Sequence, residues 1–311
     1  MKRFVLIGEE YAAFKIAKIL YDKEGAQLVA VFTNLTKKGP LILFCEQNGI
    51  ELFDSSTLSN EETIERIRSS CCDWLINILS AVIIPVSVLR LFPGRAINLH
   101  TGPLPDYAGI HVHQWGIRNG ESEFGVTVHF MEECVDTGDI IAERRFLIED
   151  TDTGLSLFNK AVREGSLLFQ DVLSDIVSGR SLPSKKQDTC HRKLYRVKDA
   201  LDSCIDWNEP ARCIINFVRA GNYHPFVSPT YTASIDYAGN SVSVLHVQLA
   251  GECEGPPGRL HKITGLGPVI ACGKGEGIIV THGVDQSGVL NYERWVQFFD
   301  TVSTCILGGE K

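Results

Sequence analysis

The stretch Arg95-Ala96-Ile97-Asn98-Leu99-His100-Thr101-Gly102-Pro103-Leu104-Pro105 begins as an apolar strand and ends in a knot of polar and turn residues. Asn98 and His100 are two residues apart, so on a strand both project from one face, next to the carboxyl end of the run. In open α/β sheets ligands bind just outside that end. Upstream, Phe4 to Ile7 reads as a strand leading into a helix over Tyr11 to Lys23, where Ala12, Ile16, Ile19 and Leu20 recur at helical spacing. Gln27 to Thr33, Ile50 to Phe53 and Asp73 to Leu79 read as further strands, with helices over Leu41 to Asn48 and Asn60 to Ser70. Continuously apolar strands alternating with helices predict a Rossmann-like α/β domain with a mostly parallel sheet covered on both faces.

Downstream, Phe124 to Met131 and Ile140 to Ile148 read as strands, and Thr153 to Ser178 as a long helix. The polar segment Gly179 to Asp199 reads as a linker. From Ile205 the pattern changes to a helix over Pro210 to Ala220 and short strands at Thr230 to Ile235, Val242 to Leu249, Gly258 to Ile263, Val269 to Cys272 and Gly277 to Thr281. Glycines between them predict a smaller β-rich, barrel-like domain. The expected division is a catalytic domain at 1–180, a linker at 181–204 and the β-rich domain at 205–311.

With 30 Lys and Arg against 38 Asp and Glu in 311 residues, the formal net charge is −8, which disfavours a large nucleic-acid partner. After Lys2 and Arg3 the apolar run Phe4 to Ile7 stops at Gly8-Glu9-Glu10, too short for a secretory signal, and Trp74 to Leu89 is too short and too polar for a membrane span. A cytoplasmic protein with no membrane partner is expected. The ten cysteines form no C-x-x-C pair and read as small apolar residues in a reducing compartment, with no metal assigned to them.

The opening turn, Gly8-Glu9-Glu10-Tyr11, has a single glycine and is no dinucleotide fingerprint. Its two acids would repel a pyrophosphate; they either start the helix or help receive a cationic amine. His100 can move a proton near neutral pH, and the Asn98 amide can donate to a carbonyl oxygen as it becomes an oxyanion, so the pair is a candidate acyl-transfer site. Asp136, in Val135-Asp136-Thr137-Gly138-Asp139, is an acid in a turn between two strands whose value rises in combination with that pair. His111 and His113 form an H-x-H pair, but no third ligand has suitable spacing for a metal, and structural or substrate-lining roles come first.

Asn98-Leu99-His100, Leu104-Pro105-x-Tyr107-x-Gly109, Gly125-Val126-Thr127-x-His129 and Asp136-x-Gly138-x-Ile140-Ile141 together resemble the folate-dependent formyltransferase family, which includes the methionyl-tRNA, sugar-nucleotide and glycinamide ribonucleotide formyltransferases. The likeness covers most of residues 1–150, and a weaker one continues in Ile205-Asp206-Trp207 and Arg219-Ala220. It implies transfer of a formyl group from 10-formyltetrahydrofolate to an amine, without a metal, with Asn98, His100 and Asp136 as the catalytic residues. It also implies a pterin held by backbone groups of Val82, Ile83 and Ile84 and by the loop ending at Val135 and Asp136.

The chain departs from the tRNA and sugar branches at Ala108 and Ile110-His111-Val112-His113, where those branches resemble versions with an Arg before Gly109 and a Pro after it. Between Thr33 and Leu41 it has only Lys37 and Lys38, where the tRNA branch resembles a version with a longer basic insertion. Basic charge gathers instead at Arg180, Lys185, Lys186, Arg192, Lys193, Arg196 and Lys198, against Asp188 alone, as a solvated linker or a contact for a nucleotide diphosphate or tRNA. These features favour a small amine acceptor, an amino sugar carried on a nucleotide. Methionyl-tRNA and a carrier-bound amino acid are the alternatives. A non-catalytic folate- or nucleotide-binding module is the competing class, and exposed edges of the β domain allow a homodimer.

Overall fold

A computed structural model describes residues 1–36, 38–80, 82–196, 199, 203–299 and 307. The chain forms two compact units that interleave in sequence: 1–109 with 124–146 and 159–194, and 110–123 with 147–158 and 195–311. Residues 181–194, expected as linker, therefore belong to the first unit.

The first unit is built on β1 (Lys2–Gly8), β2 (Ala26–Thr33), β3 (Glu51–Asp54), β4 (Trp74–Ile78), β5 (Ala96–His100), a two-residue β6 (Ala108–Gly109), β7 (Glu123–Phe130) and β8 (Ile140–Leu147). Its seven-stranded sheet has the order β3-β2-β1-β4-β5-β7-β8, with β3 through β5 parallel and β7 antiparallel to β5. That is the α/β architecture the alternating apolar strands predict. Phe4, Val5, Leu6 and Ile7 on central β1 are all buried, as a strand covered on both faces requires, each contributing about 1.5–3 kcal/mol of burial.

Helix α1 (Glu10–Asp22) buries Ala12, Ala13, Ile16, Ala17 and Leu20. It lies close over the sheet because Gly8 has no side chain: a Cβ there would come within 2.5 Å of the Ile78 carbonyl oxygen and 3.0 Å of Ala13 Cβ. The single glycine of the opening turn thus serves packing. Helices α2 (Pro40–Asn48), α3 (Glu61–Ser69) and the short α4 (Val86–Leu89) follow the next strands, and α5 (Val112–Arg118) and the long α6 (Gly154–Ser178) come later in the chain. Ile67 and Val88 join Val5, Ile7, Phe32 and Leu75 in one apolar cluster.

After the two-residue β9 (Leu194–Tyr195), the strands of the second unit, β10 (Ser234–Tyr237), β11 (Asn240–Glu252), β12 (Leu260–Thr264), β13 (Gly267–Cys272), β14 (Glu276–Asp285) and β15 (Gly288–Val289), form an antiparallel sheet of order β10-β11-β14-β13-β12, with β15 on β14. Its core gathers Trp207, Ile214, Val218, Val244, Val280, Trp295 and Phe299, the last two from α8 (Tyr292–Phe299). The strand expected from Thr230 begins only at Ser234; Thr230 instead donates its hydroxyl to Gln114 Oε1 at 2.8 Å. On α7 (Ala211–Gly221), the buried Arg219 donates Nη1 to the carbonyls of Glu149, Asp150 and Asp152 and Nε to Asn216 Oδ1. One guanidinium thereby satisfies three main-chain acceptors. No described helix is long and apolar enough to cross a membrane.

Candidate active site

The register of β5 against its neighbours assembles a row of polar side chains inside an apolar sheet. Asn77 on β4 is the partner of Asn98, and Asn98 is the partner of His129 on β7. One step along, His100 faces Thr127. Partnered residues share a face, so Asn77, Asn98 and His129 stand side by side near the carboxyl ends of the parallel strands.

The amide of Asn98 is fully engaged. Its Oδ1 accepts from Asn77 Nδ2 at 2.9 Å, and its Nδ2 donates to His129 Nε2 at 3.0 Å and, more weakly, to Asp136 Oδ1 at 3.4 Å. The carboxylate on one side fixes the nitrogen there, since two oxygens could not face each other. His129 Nδ1 lies 2.7 Å from the Phe130 carbonyl, which can only accept, so Nδ1 carries the proton and Nε2 is left to accept from Asn98. By the same reasoning His100 donates from Nε2 to the Tyr107 carbonyl at 2.6 Å, while its Nδ1 faces Asp136 Oδ2 at 3.7 Å.

Asp136 closes the cluster from the loop between β7 and β8. Its Oδ2 accepts from the Gly109 N–H at 2.8 Å, and its Oδ1 is 3.5 Å from His129 Nε2. Burial by itself would raise its carboxyl; the charge of His100 and then the hydrogen bond from the Gly109 N–H outweigh burial and hold it well below the usual carboxylate range. Asp136 adopts a left-handed backbone with φ of 54°, which costs a residue with a Cβ about 1 kcal/mol. The loop needs Gly138 as well, where a Cβ would lie 1.9 Å from the Phe130 carbonyl oxygen. Thr127, fully buried, staples the segment after β5 by donating to the Gly102 carbonyl at 2.9 Å and accepting from the Leu104 N–H at 3.2 Å.

Asn98, His100 and Asp136, named from the sequence, thus converge in one buried cluster. The expected pterin contacts are less uniform. Ile84 is buried in the apolar cluster beneath the sheet, Ile83 is 79 % exposed and Val135 is 47 % exposed. Val82 already exchanges hydrogen bonds with Ser80, its N–H donating to Oγ at 3.2 Å and its carbonyl accepting from it at 2.8 Å. The carbonyls of Val135 and Asp136 accept from Arg192 and Gln187, at 2.6 and 3.2 Å. Asn77 and Gln187 carry no motif in the sequence, and Thr127 and His129 stand there only as motif residues without a role; an Asn inside the apolar run Trp74 to Leu79 is the one local signal for the first.

Other candidates fall elsewhere. Glu9 accepts from Thr33 Oγ1, the Asn34 N–H and Ser55 Oγ, so its carboxylate ties together the loops after β1, β2 and β3. In the second unit, His111 precedes α5 (Val112–Arg118) with φ of 53°, and buried His113 bonds through Nε2 to the Tyr223 hydroxyl. Among the described residues no group of three or more His, Cys, Asp and Glu is placed to hold a metal ion. Lys37 of the short loop and Lys198 of the basic stretch lie outside the described residues.

The formyl transferase family model matches residues 8–173 and the formyl transferase C-terminal domain model matches 198–297. The methionyl-tRNA formyltransferase of Clostridium novyi is 31 % identical over 245 residues, covering 78 % of this chain and 76 % of that one. Its counterpart in Citrifermentans bemidjiense is 30 % identical over 288 residues, covering 89 % and 87 %. Among solved structures, the N-formyltransferase of Helicobacter canadensis in complex with folinic acid and dTDP-3-aminofucose superposes with a TM-score of 0.69 at 20 % identity, over 90 % of this chain and 99 % of that one, a likeness of fold. With both domain models matched and relatives at this identity across most of its length, the chain belongs to the formyl transferase family.

Proposed function

We propose that this protein formylates the amine of a small molecule, a nucleotide-linked amino sugar, with 10-formyltetrahydrofolate as donor and Asn98, His100 and Asp136 as its catalytic residues. The observation that carries the reading is the buried cluster in which an amide, an imidazole and an ionised carboxylate meet at the carboxyl end of β5. The donor supplies an electrophilic formyl carbon. The amine nitrogen bonds to it, its bond to the folate nitrogen breaks, and a proton leaves the amine for that nitrogen. Asn98 donates Nδ2 to the oxygen that gains charge, which displaces its weaker 3.4 Å contact with Asp136. His100, held between the Tyr107 carbonyl and Asp136, stabilises the same oxygen and carries the proton, and Asp136 holds the ring in place. The backbone around Val82, Ile83 and Ile84 and the loop at Val135 and Asp136 would bound the pterin. The reaction belongs to the cytosol in this reading.

For the acceptor, a net charge of −8 and a connection of only six residues, 34–39, between β2 and α2 support a small anionic nucleotide over tRNA. The second reading, methionyl-tRNA, is favoured by the names of the relatives at about 30 % identity. A formylation assay with dTDP-linked amino sugars, free and carrier-bound amino acids, charged initiator tRNA and a no-acceptor control separates them. Efficient turnover of a nucleotide sugar supports the first reading; turnover confined to the tRNA overturns it.

A further inference from the structure

The basic stretch that reads as a linker turns the side-chain amide of Gln187 inward. From Pro183 to Cys190 every side chain is exposed except that of Gln187, which is half-buried. Its Nε2 donates to two carbonyls of the β7–β8 loop, Asp136 at 3.2 Å and Gly138 at 2.6 Å. Both partners only accept, so the amide nitrogen must face them, and each of its hydrogens has one acceptor. Arg192 adds a bond to the Val135 carbonyl at 2.6 Å, Ser184 donates to Asp139 Oδ2 at 2.6 Å, and Lys185 exchanges two backbone hydrogen bonds with Ile140 at 2.8 and 2.9 Å.

These bonds converge on the residues that need restraint. Asp136 sits in the left-handed region, where a residue with a Cβ relaxes unless its surroundings hold it. Gln187 Oε1 and Arg192 Nε are buried without partners. Neither side chain is therefore placed to satisfy its own polar atoms; each accepts an unpaired atom while tying down a loop carbonyl.

We propose that Gln187 is a positioning residue for the formyl transfer reaction, and that Ser184 to Arg192 form a strap fixing the 135–139 loop so that the Asp136 carboxylate reaches Asn98 and His100. The proposal rests on the reading of Asp136 as a catalytic residue. It assigns the segment's role to an uncharged amide rather than to its lysines.

The test uses the full chain with 10-formyltetrahydrofolate and dTDP-3-aminofucose as probes, and amide hydrogen exchange over 132–139. Gln187→Ala should lower kcat by about tenfold to a hundredfold, as expected for a misplacement of about 1 Å, with both KM values within about threefold. Protection of the loop should fall while protection of β1 and β4 stays. In an Asp136→Asn background the same substitution should cost less than about twofold more, because residues acting as one unit are not additive. Gln187→Glu, which keeps the size and sets a carboxylate against the two carbonyls, should behave like the alanine variant and stands in for it if that variant does not fold. Unchanged loop protection in Gln187→Ala, or an equal loss in both backgrounds, overturns the strap. If the wild-type chain turns over neither probe, the function proposed above is at fault, and hydrogen exchange alone still decides whether Gln187 holds the loop.

Discussion

Each unit buries a histidine among polar partners, and the two solve the cost of burial in opposite ways. In the first unit Asp136 meets His100 at 3.7 Å, the Asn98 amide and the Gly109 N–H, so the carboxylate keeps its charge. In the second unit buried His113 meets the Tyr223 hydroxyl and the Phe158 ring, and its Nδ1 has no partner. Burial, and secondarily the charge of His111, push His113 down to about 3, while burial pushes the Tyr223 phenol up. A buried charge persists where hydrogen bonds and an opposite charge replace water, and otherwise the group becomes neutral. The first arrangement is equipped to stabilise developing charge; the second holds helix α5 in place.

The largest effects are expected where the comparison is broken at its charged end. His100→Asn should lower kcat by about 10²–10⁴, the usual worth of a positioned acid or base, while folinic acid binding measured by fluorescence titration stays close to wild type. Asn98→Ala should cost about 10²–10³ in kcat as the loss of one oxyanion donor. Turnover that survives His100→Asn removes the role given to the imidazole.

The neutral end predicts a pH effect. His113 titrates near its ordinary 6.5 in the unfolded chain and at about 3 when folded, so the unfolded state binds more protons between those values. Stability should be complete above pH 6.5 and fall by up to about 1.4 kcal/mol per pH unit as the pH drops toward 3. His113→Gln, which keeps a partner for Tyr223, should flatten that slope in denaturant titrations between pH 6.5 and 4.

Asp136 makes the complementary statement at lower pH. Its folded carboxyl lies below the unfolded value of 3.8, so its stabilisation is present above that pH and is lost as the pH falls through the folded value. Asp136→Asn should leave the slope above pH 4 unchanged and reduce the steepness of acid unfolding below it. If instead the two variants alter the same window, the assignment of a paired charge to one histidine cluster and a neutral ring to the other is wrong.

The two clusters also differed in how far they could be read in advance. Apolar runs announced the strands, and the two-residue spacing of Asn98 and His100 placed both on one face, because side-chain alternation is a local property. The places of Asn77 and of the motif residue His129 beside Asn98 are not legible in the same way, because they follow from strand register across separations of 21 and 31 residues. Gln187 lies 51 residues from Asp136, in a stretch whose composition signals solvent, and two backbone bonds between Lys185 and Ile140 decide otherwise. Helix α5 went unread because it is seven residues long and begins after a left-handed His111. The β-rich unit was legible as strands separated by glycines, but not the role of Arg219 across 67 to 70 residues.

The smallest effect concerns Glu9, half-buried just after the carboxyl end of β1. Its Oε2 accepts from Thr33 Oγ1 at 3.2 Å and from the Asn34 N–H at 3.0 Å, and its Oε1 accepts from Ser55 Oγ at 3.1 Å. Three donors already occupy the carboxylate, so little of it remains to receive a cationic amine. Glu9→Gln can turn its Nε2 toward Ser55 Oγ, a hydroxyl that accepts as well as donates, so it keeps the three contacts and loses the charge on them, at a cost of about 0.5–1.5 kcal/mol in urea unfolding. Because the bonds staple loops rather than bind the acceptor, KM for the amine should stay within about twofold, inside the scatter expected for a change that adds no new substrate contact. A tenfold rise in that KM with stability unchanged would turn Glu9 from a staple into part of the amine site.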